Sequence, residues 1–285
     1  MSEDISSKGI NKKLIGLFVS FACVSIVVYI IAGYNYFMSP ETRLVVKIVV
    51  PATLFFLTLI LYLKSDLIYA KIIFCFSIVS LGFLMAWFLG GWYNWIPGLI
   101  SESVQGWAVS KIAEVLPIVL TVIISTFIIK DDFEELYFKG GSFWKSIKLG
   151  LYATPLAIIQ FIVMGGLAVN IDAGTILAWI PWLLLFAFSN SIMEELIFRG
   201  LFFKKYYKIF SKRTSLILIS IGFAIMHTSL LPFLGILETI MFVSFLFFLG
   251  MSWGYIIQKS QNIWGAVLAH AIADILFVIA AFGIA

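Results

Sequence analysis

The chain alternates between long apolar stretches and short polar ones. Nine apolar segments stand out, at about residues 14–34, 44–63, 67–90, 107–129, 148–169, 175–198, 214–231, 235–257 and 262–284. Most exceed the roughly 18 residues that mark a candidate spanning helix. The pattern predicts an all-α fold, a polytopic transmembrane bundle of about 8–9 spanning helices. No internal repeat or low-complexity tract interrupts it.

Composition points to the same solvent. Hydrophobic residues make up 62% of the chain and charged ones only 12%, against about 25% charged in an ordinary soluble domain. A chain this poor in charge cannot cover its own surface in water. Cys23 and Cys75 lie inside apolar runs, which argues for small core residues and against a disulfide framework or a cysteine metal site. Lys8, Lys12 and Lys13 precede the first apolar run, which is long for a cleaved signal peptide and lacks a clear small-residue cleavage site. That run is expected to stay as the first spanning helix.

Charge is sorted along the chain. If all nine segments span and the amino terminus is cytoplasmic, the loops alternate as the positive-inside rule requires. The cytoplasmic set is then Lys8, Lys12, Lys13, Lys64, Lys71, Lys130, Lys139, Lys145, Lys148, Arg199, Lys204, Lys205, Lys208, Lys212, Arg213 and Lys259, which is 16 of the 19 basic residues. Arg43, Lys47 and Lys111 remain for the other side. The expected location is an integral, multi-pass protein of the plasma membrane, with the lipid bilayer as its first partner. No basic stripe lies outside the short loops, so nucleic acid is not expected as a partner.

Two loops add detail. Gly91–Gly106 has no Lys or Arg but carries Trp92, Tyr93 and Trp95, with Trp107 just beyond. Such rings serve as an interfacial anchor or as a lip that touches substrate. The stretch Lys130–Lys148 mixes Asp131, Asp132, Glu134 and Glu135 with lysines. It reads as a solvated cytoplasmic face and as the approach to a seam between residues 1–170, N-terminal transmembrane helices, and residues 171–285.

Ionisable residues inside spanning helices cost about 2.5–3.5 kcal/mol on insertion scales, so they tend to be paired or functional. The first five segments hold few. Lys47 lies near a segment end, and Lys111 with Glu114 forms an i,i+3 pair expected to neutralise itself near the outer surface. Glu238 opens an outer helix start, facing water or the helix amino terminus.

The last four segments differ. Segment six ends with Glu194, Glu195 and Arg199; segment seven contains Phe223 and His227; segment nine contains His270 and Asp274. The two histidines are the only ones in the chain. Glu195 and Arg199 are i,i+4 and can bridge, while Glu194 points about 100° away and is free to face a cavity. Phe223 shares a face with His227 and can orient its ring; His270 shares a face with Asp274. A carboxylate beside an imidazole in a dry site can deprotonate water. The second histidine and the aspartate can donate to, or orient a donor for, an oxyanion, or the same groups can ligate a metal that activates the water. Either route suits peptide hydrolysis.

Glu194-Glu195-x-x-x-Arg199-Gly200, Phe223-x-x-x-His227 and His270-x-x-x-Asp274 resemble the EExxxR, FxxxH and HxxxN/D motifs of the CAAX-protease and bacteriocin-processing family, over about Trp179 to Phe277. The resemblance, nearest to the type 2 CAAX prenyl endoprotease, implies that residues 171–285 form a catalytic helical core. It implies an intramembrane endopeptidase acting on a peptide or membrane-protein substrate, its site opening to the cytoplasm. Glu194 with His227 would activate water, His270 and Asp274 would stabilise the oxyanion, and Glu195 and Arg199 would support the site. No cofactor is favoured, zinc being the alternative. Asp274 stands where the prenyl endoprotease has Asn. One difficulty concerns depth: His227 lies farther from the basic edge than Glu194 or His270, so segment seven must tilt, start deeper or be shorter.

Other readings compete. Gly250-Met251-Ser252-Trp253-Gly254 fits G-x-S-x-G, but that motif needs a strand-to-helix turn; in an apolar helix the glycines read as small-residue packing. No H-E-x-x-H is present. A non-enzymatic immunity or regulatory scaffold that binds a peptide or partner protein is the main alternative. A transporter would spread its polar residues through both halves.

Overall fold

A computed structural model describes residues 12–35, 37–128, 134–228 and 235–283. Lys8, Lys130, Asp131, Asp132 and the last residues of the seventh apolar segment, 229–231, lie outside them. The described helices, in order, are α1 (Lys12–Ser25), α2 (Pro40–Leu63), α3 (Leu67–Leu89), α4 (Val104–Ile128), α5 (Phe143–Tyr152), α6 (Thr154–Val163), α7 (Ala173–Glu195), α8 (Phe203–Tyr206), α9 (Lys212–Met226), α10 (Ile236–Ser260) and α11 (Trp264–Gly283). Wider turns of π type extend α1 over Ile26–Gly33 and α7 over Leu196–Gly200. The described residues contain no strand, and eight helical stretches are long and apolar enough to cross a membrane. The protein is an all-α, integral, multi-pass membrane protein.

The helix starts follow from local chemistry. Ser39, Ser142, Asp172 and Ser211 each accept a hydrogen bond from the backbone N–H three residues on, satisfying a donor that a helix start leaves open. At Asp172 the Thr175 hydroxyl, and after it the backbone N–H bonds, hold the carboxyl below its ordinary range. The fifth apolar segment is one span broken in two: α5 and α6 meet at Ala153, just before Pro155, which cannot continue a hydrogen-bonded ladder. It occupies Phe143–Val163 rather than the predicted 148–169.

The seventh segment departs most from expectation. α9 has 15 residues, about 22 Å at 1.5 Å per residue, and is too short to count among the eight candidate spans. It ends with His227 as its carboxyl-terminal cap. Of the three ways to reconcile the depths, a shorter helix is the one adopted.

The core joins both halves of the chain. Tyr29 of the α1 extension packs on Phe198 with ring centres 4.8 Å apart, Phe21 on Tyr206 at 5.5 Å, and Phe76 of α3 on Phe202 at 4.6 Å. Lys64, Lys145, Lys212 and Lys259 mark one end of the bundle; the turns after α1 and α3 and the starts of α7 and α10 mark the other. Arg199 does not belong with the loop cations among which the sequence placed it. Its side chain is 0% exposed, because the π turn keeps this part of the chain helical and inside the core.

Candidate active site

Three helices and one wide turn build the polar centre. α7 aligns Phe186, Asn190 and Glu194 at i, i+4 and i+8, so they share a face. Glu195, one residue on, points elsewhere. Its Oε1 accepts from Arg199 Nη1 at 2.7 Å, while Arg199 Nη2 donates to the Gly250 carbonyl of α10 at 3.1 Å. Gly250 allows that approach, since a Cβ there would lie 3.3 Å from both the guanidinium and the Phe223 ring. The guanidinium lies 4.8 Å from the centre of Phe223 and 5.6 Å from that of Trp253.

Glu195 does more than hold a helix end. The same Oε1 lies 3.0 Å from His270 Nδ1. That contact assigns the Nδ1 proton and turns Nε2 the other way. His270 Nε2 then stands 3.5 Å from Glu194 Oε2 and 3.7 Å from Asp274 Oδ1. The ring is clamped by Trp253, stacked at 3.9 Å and 15°. His227 is oriented from its own helix: Nδ1 lies 2.9 Å from the Phe223 carbonyl, so it donates there and leaves Nε2 as an acceptor. That Nε2 is 3.9 Å from Glu194 Oε2. The Phe223 ring lies 4.6 Å from His227 and 5.8 Å from His270, a common wall for both imidazoles.

Glu194 is therefore the meeting point. It is 3% exposed, and its Oε2 is buried without a hydrogen-bond partner, an arrangement that costs free energy unless a ligand or water completes it. A gap of 3.9 Å is too long for a direct hydrogen bond and suits one shared water. All the residues singled out in the sequence, Glu194, Glu195, Arg199, Phe223, His227, His270 and Asp274, converge here. Sequence reasoning missed two others. Asn190 donates to Asp274 Oδ2 at 3.0 Å; its position four residues before Glu194 in an apolar helix was the available signal. Trp253 was hidden within the false G-x-S-x-G, whose serine sits in mid-helix and is not among the residues lining the cavity.

That cavity has a volume of about 390 Å³. Glu194, His227, His270 and Asp274 line it together with Trp107, Lys111, Glu114 and Tyr34. Trp107, between an anchor and a substrate-contacting lip on sequence grounds, thus faces the site. The Lys111–Glu114 pair forms as expected, at 2.7 Å, but it walls the same cavity. These residues lie toward the end of the bundle away from Lys64 and Lys145, whereas the resemblance implies a cytoplasmic opening.

Among the described residues no group of three or more His, Cys, Asp and Glu side chains is arranged to hold a metal ion, and Glu195 engages His270 at Nδ1.

Comparison with known families fits this geometry. Residues 176–276 match the family model described as Type II CAAX prenyl endopeptidase Rce1-like. This stretch is similar to Rce1-like CAAX proteases. The family is one of peptide-bond hydrolases, and the matched stretch contains Glu194, His227, His270 and Asp274. No curated protein and no solved structure matches the chain.

Proposed function

We propose that the protein is an intramembrane endopeptidase that cleaves a peptide bond of a membrane-associated protein or peptide, with residues 171–285 as its catalytic core. The carrying observation is the unpartnered Glu194 Oε2 facing two imidazoles held by separate helices. A water between Glu194 Oε2 and His227 Nε2 gives its proton to Glu194 as its oxygen bonds to the scissile carbonyl carbon. The negative charge then moves to the carbonyl oxygen. His270, protonated at Nε2, donates to that oxygen; Asp274, held by Asn190, orients the donor or donates as its own acid. Collapse breaks the C–N bond, and Glu194 returns the proton to the leaving amine. Glu195, Arg199 and Phe223 are positioning residues. No metal takes part in this reading.

The sorting of basic residues supports a cytoplasmic amino terminus, and the plasma membrane is part of the same proposal. The test is mass-spectrometric profiling of protein termini in membranes carrying wild type, Glu194→Gln or His227→Ala. New termini that depend on wild type and vanish in both variants support the enzyme. A protective phenotype that survives both changes would favour the non-enzymatic scaffold.

A further inference from the structure

Two of the three basic residues that escape the sorting of charge along the chain meet in a second cavity. Arg43 and Lys47 are i,i+4 on α2 and share a face. Both reach one indole: the Arg43 guanidinium lies 5.6 Å from the centre of Trp87, and the Lys47 ammonium 5.7 Å from it. Like charges at this spacing repel, and among the described residues neither forms an ion pair with a carboxylate. The carboxylate that lines this cavity, Glu114, is taken by Lys111 and the Tyr34 hydroxyl. Two cations are therefore held together without a counter-charge.

The cavity holds about 400 Å³, within the range of roughly 300–1,000 Å³ typical of small-ligand sites. Tyr34, Ser110 and Glu114 form the wall that divides it from the cavity at Glu194. Two of its lining residues carry buried polar atoms without a partner, Arg43 Nε and Asn35 Oδ1. Asn35 is 1% exposed, and its Nδ2 donates to the Ile31 carbonyl, which leaves Oδ1 as the free acceptor. Lys47 donates to the Ala32 and Gly33 carbonyls, two bonds from an ammonium that has three protons. Unmet groups of this kind cost free energy until a ligand or water completes them. The set asks for an anion that also carries a donor.

Position narrows the class. Trp87, Gly91 and Asn94 line the cavity and are exposed, and Trp95, on the same turn as Gly91 and Asn94, is 83% exposed. Aromatic rings of this kind sit at headgroup level, and basic pockets between spanning helices take phosphate headgroups. We propose that this cavity binds the headgroup of an anionic phospholipid, with Arg43 and Lys47 on the phosphate oxygens and Asn35 Oδ1 accepting from a headgroup hydroxyl. A choline headgroup, neutral overall and without a donor, meets neither demand. This site is distinct from the one at Glu194, and the assignment does not rest on the endopeptidase reading.

The test is native mass spectrometry of the full chain in neutral detergent doped with equal amounts of phosphatidylglycerol and phosphatidylcholine. Wild type retains phosphatidylglycerol in preference. Arg43→Gln and Lys47→Gln, each after a monodisperse gel-filtration peak, weaken that retention about tenfold or more, the loss of one charge-assisted hydrogen bond. Lys64→Gln, exposed at the opposite end of the bundle, does not. Equal retention of the two lipids overturns the proposal, as does a phosphatidylglycerol preference that survives either folded variant. Inorganic phosphate is titrated in parallel: Arg43-dependent binding of that ion without a preference between the lipids assigns the cavity to free phosphate and overturns the headgroup reading. The lipid comparison needs wild type alone, so a variant that fails to fold leaves the proposal open to refutation.

Discussion

Two carboxylates face one cavity and are treated in opposite ways. At one end Glu114 is complete: Oε2 accepts from Lys111 at 2.7 Å and Oε1 from the Tyr34 hydroxyl at 2.7 Å. Lys47 nearby is likewise engaged, donating to the Ala32 and Gly33 carbonyls at 2.8 and 2.7 Å. At the other end Glu194 Oε2 has basic nitrogens at 3.5 and 3.9 Å and no hydrogen bond. A satisfied buried ion pair is a structural part that packed apolar residues can often replace. An unsatisfied one keeps its acceptor strength for something that arrives. Equal charge thus yields a strut at Glu114, whose side chain is 25% exposed, and a reactive group at Glu194, at 5%.

That contrast can be broken at either end. The largest effect is expected from Glu194→Gln, which should lower peptide-bond cleavage by about 10²–10⁴, the range of one general acid–base group, while the melting temperature in detergent does not fall. Next, Arg199→Leu should destabilise the fold by about 3–5 kcal/mol, because it strands the buried Glu195 carboxylate; thermal unfolding in detergent measures it, and Arg199→Lys should recover only part. Asn190→Ala removes a hydrogen bond to a charged group, worth about 1.5–3 kcal/mol. It should cut the cleavage rate about tenfold or more, with little change in substrate KM. Smallest is the paired change Lys111→Met with Glu114→Leu, expected to alter stability by only about 1 kcal/mol. Glu114→Leu alone should cost more, since it leaves the Lys111 ammonium unpaired. If the pair proved as damaging as Glu194→Gln is to cleavage, the strut interpretation would fail.

Much of this was legible in the sequence because hydrocarbon imposes simple rules. Twenty-odd apolar residues make a span, and the few charges left inside them are conspicuous. Glu194, His227, His270 and Asp274 stood out for that reason. The errors came where neighbours in space are distant in the chain. Arg199 looked like one more loop cation beside Lys204 and Lys205, since nothing local announced that the Gly250 carbonyl would receive it. Lys111 and Glu114 formed the expected pair, yet their place on the site wall depends on how α4 packs against α7. The 15-residue α9 ends at Met226 with His227 as its cap, and hydropathy could not show this because apolar residues lie on both sides of that cap.

The filled floor beneath Glu194 has an electrical meaning. Two imidazoles and three carboxylates grouped inside a membrane-spanning bundle are ingredients of a proton wire, and a leak there would dissipate the gradient a cell maintains. Leu196, Ile197, Phe198, Leu201, Phe202 and Phe203, all at most 2% exposed, interrupt any such wire, and among them the Arg199 guanidinium, a fixed positive charge at working pH, repels an advancing proton. An elementary charge crossing the membrane is worth about 2.3 kcal/mol for each 100 mV, so such a floor would let the proposed hydrolysis proceed inside an energised membrane without short-circuiting it.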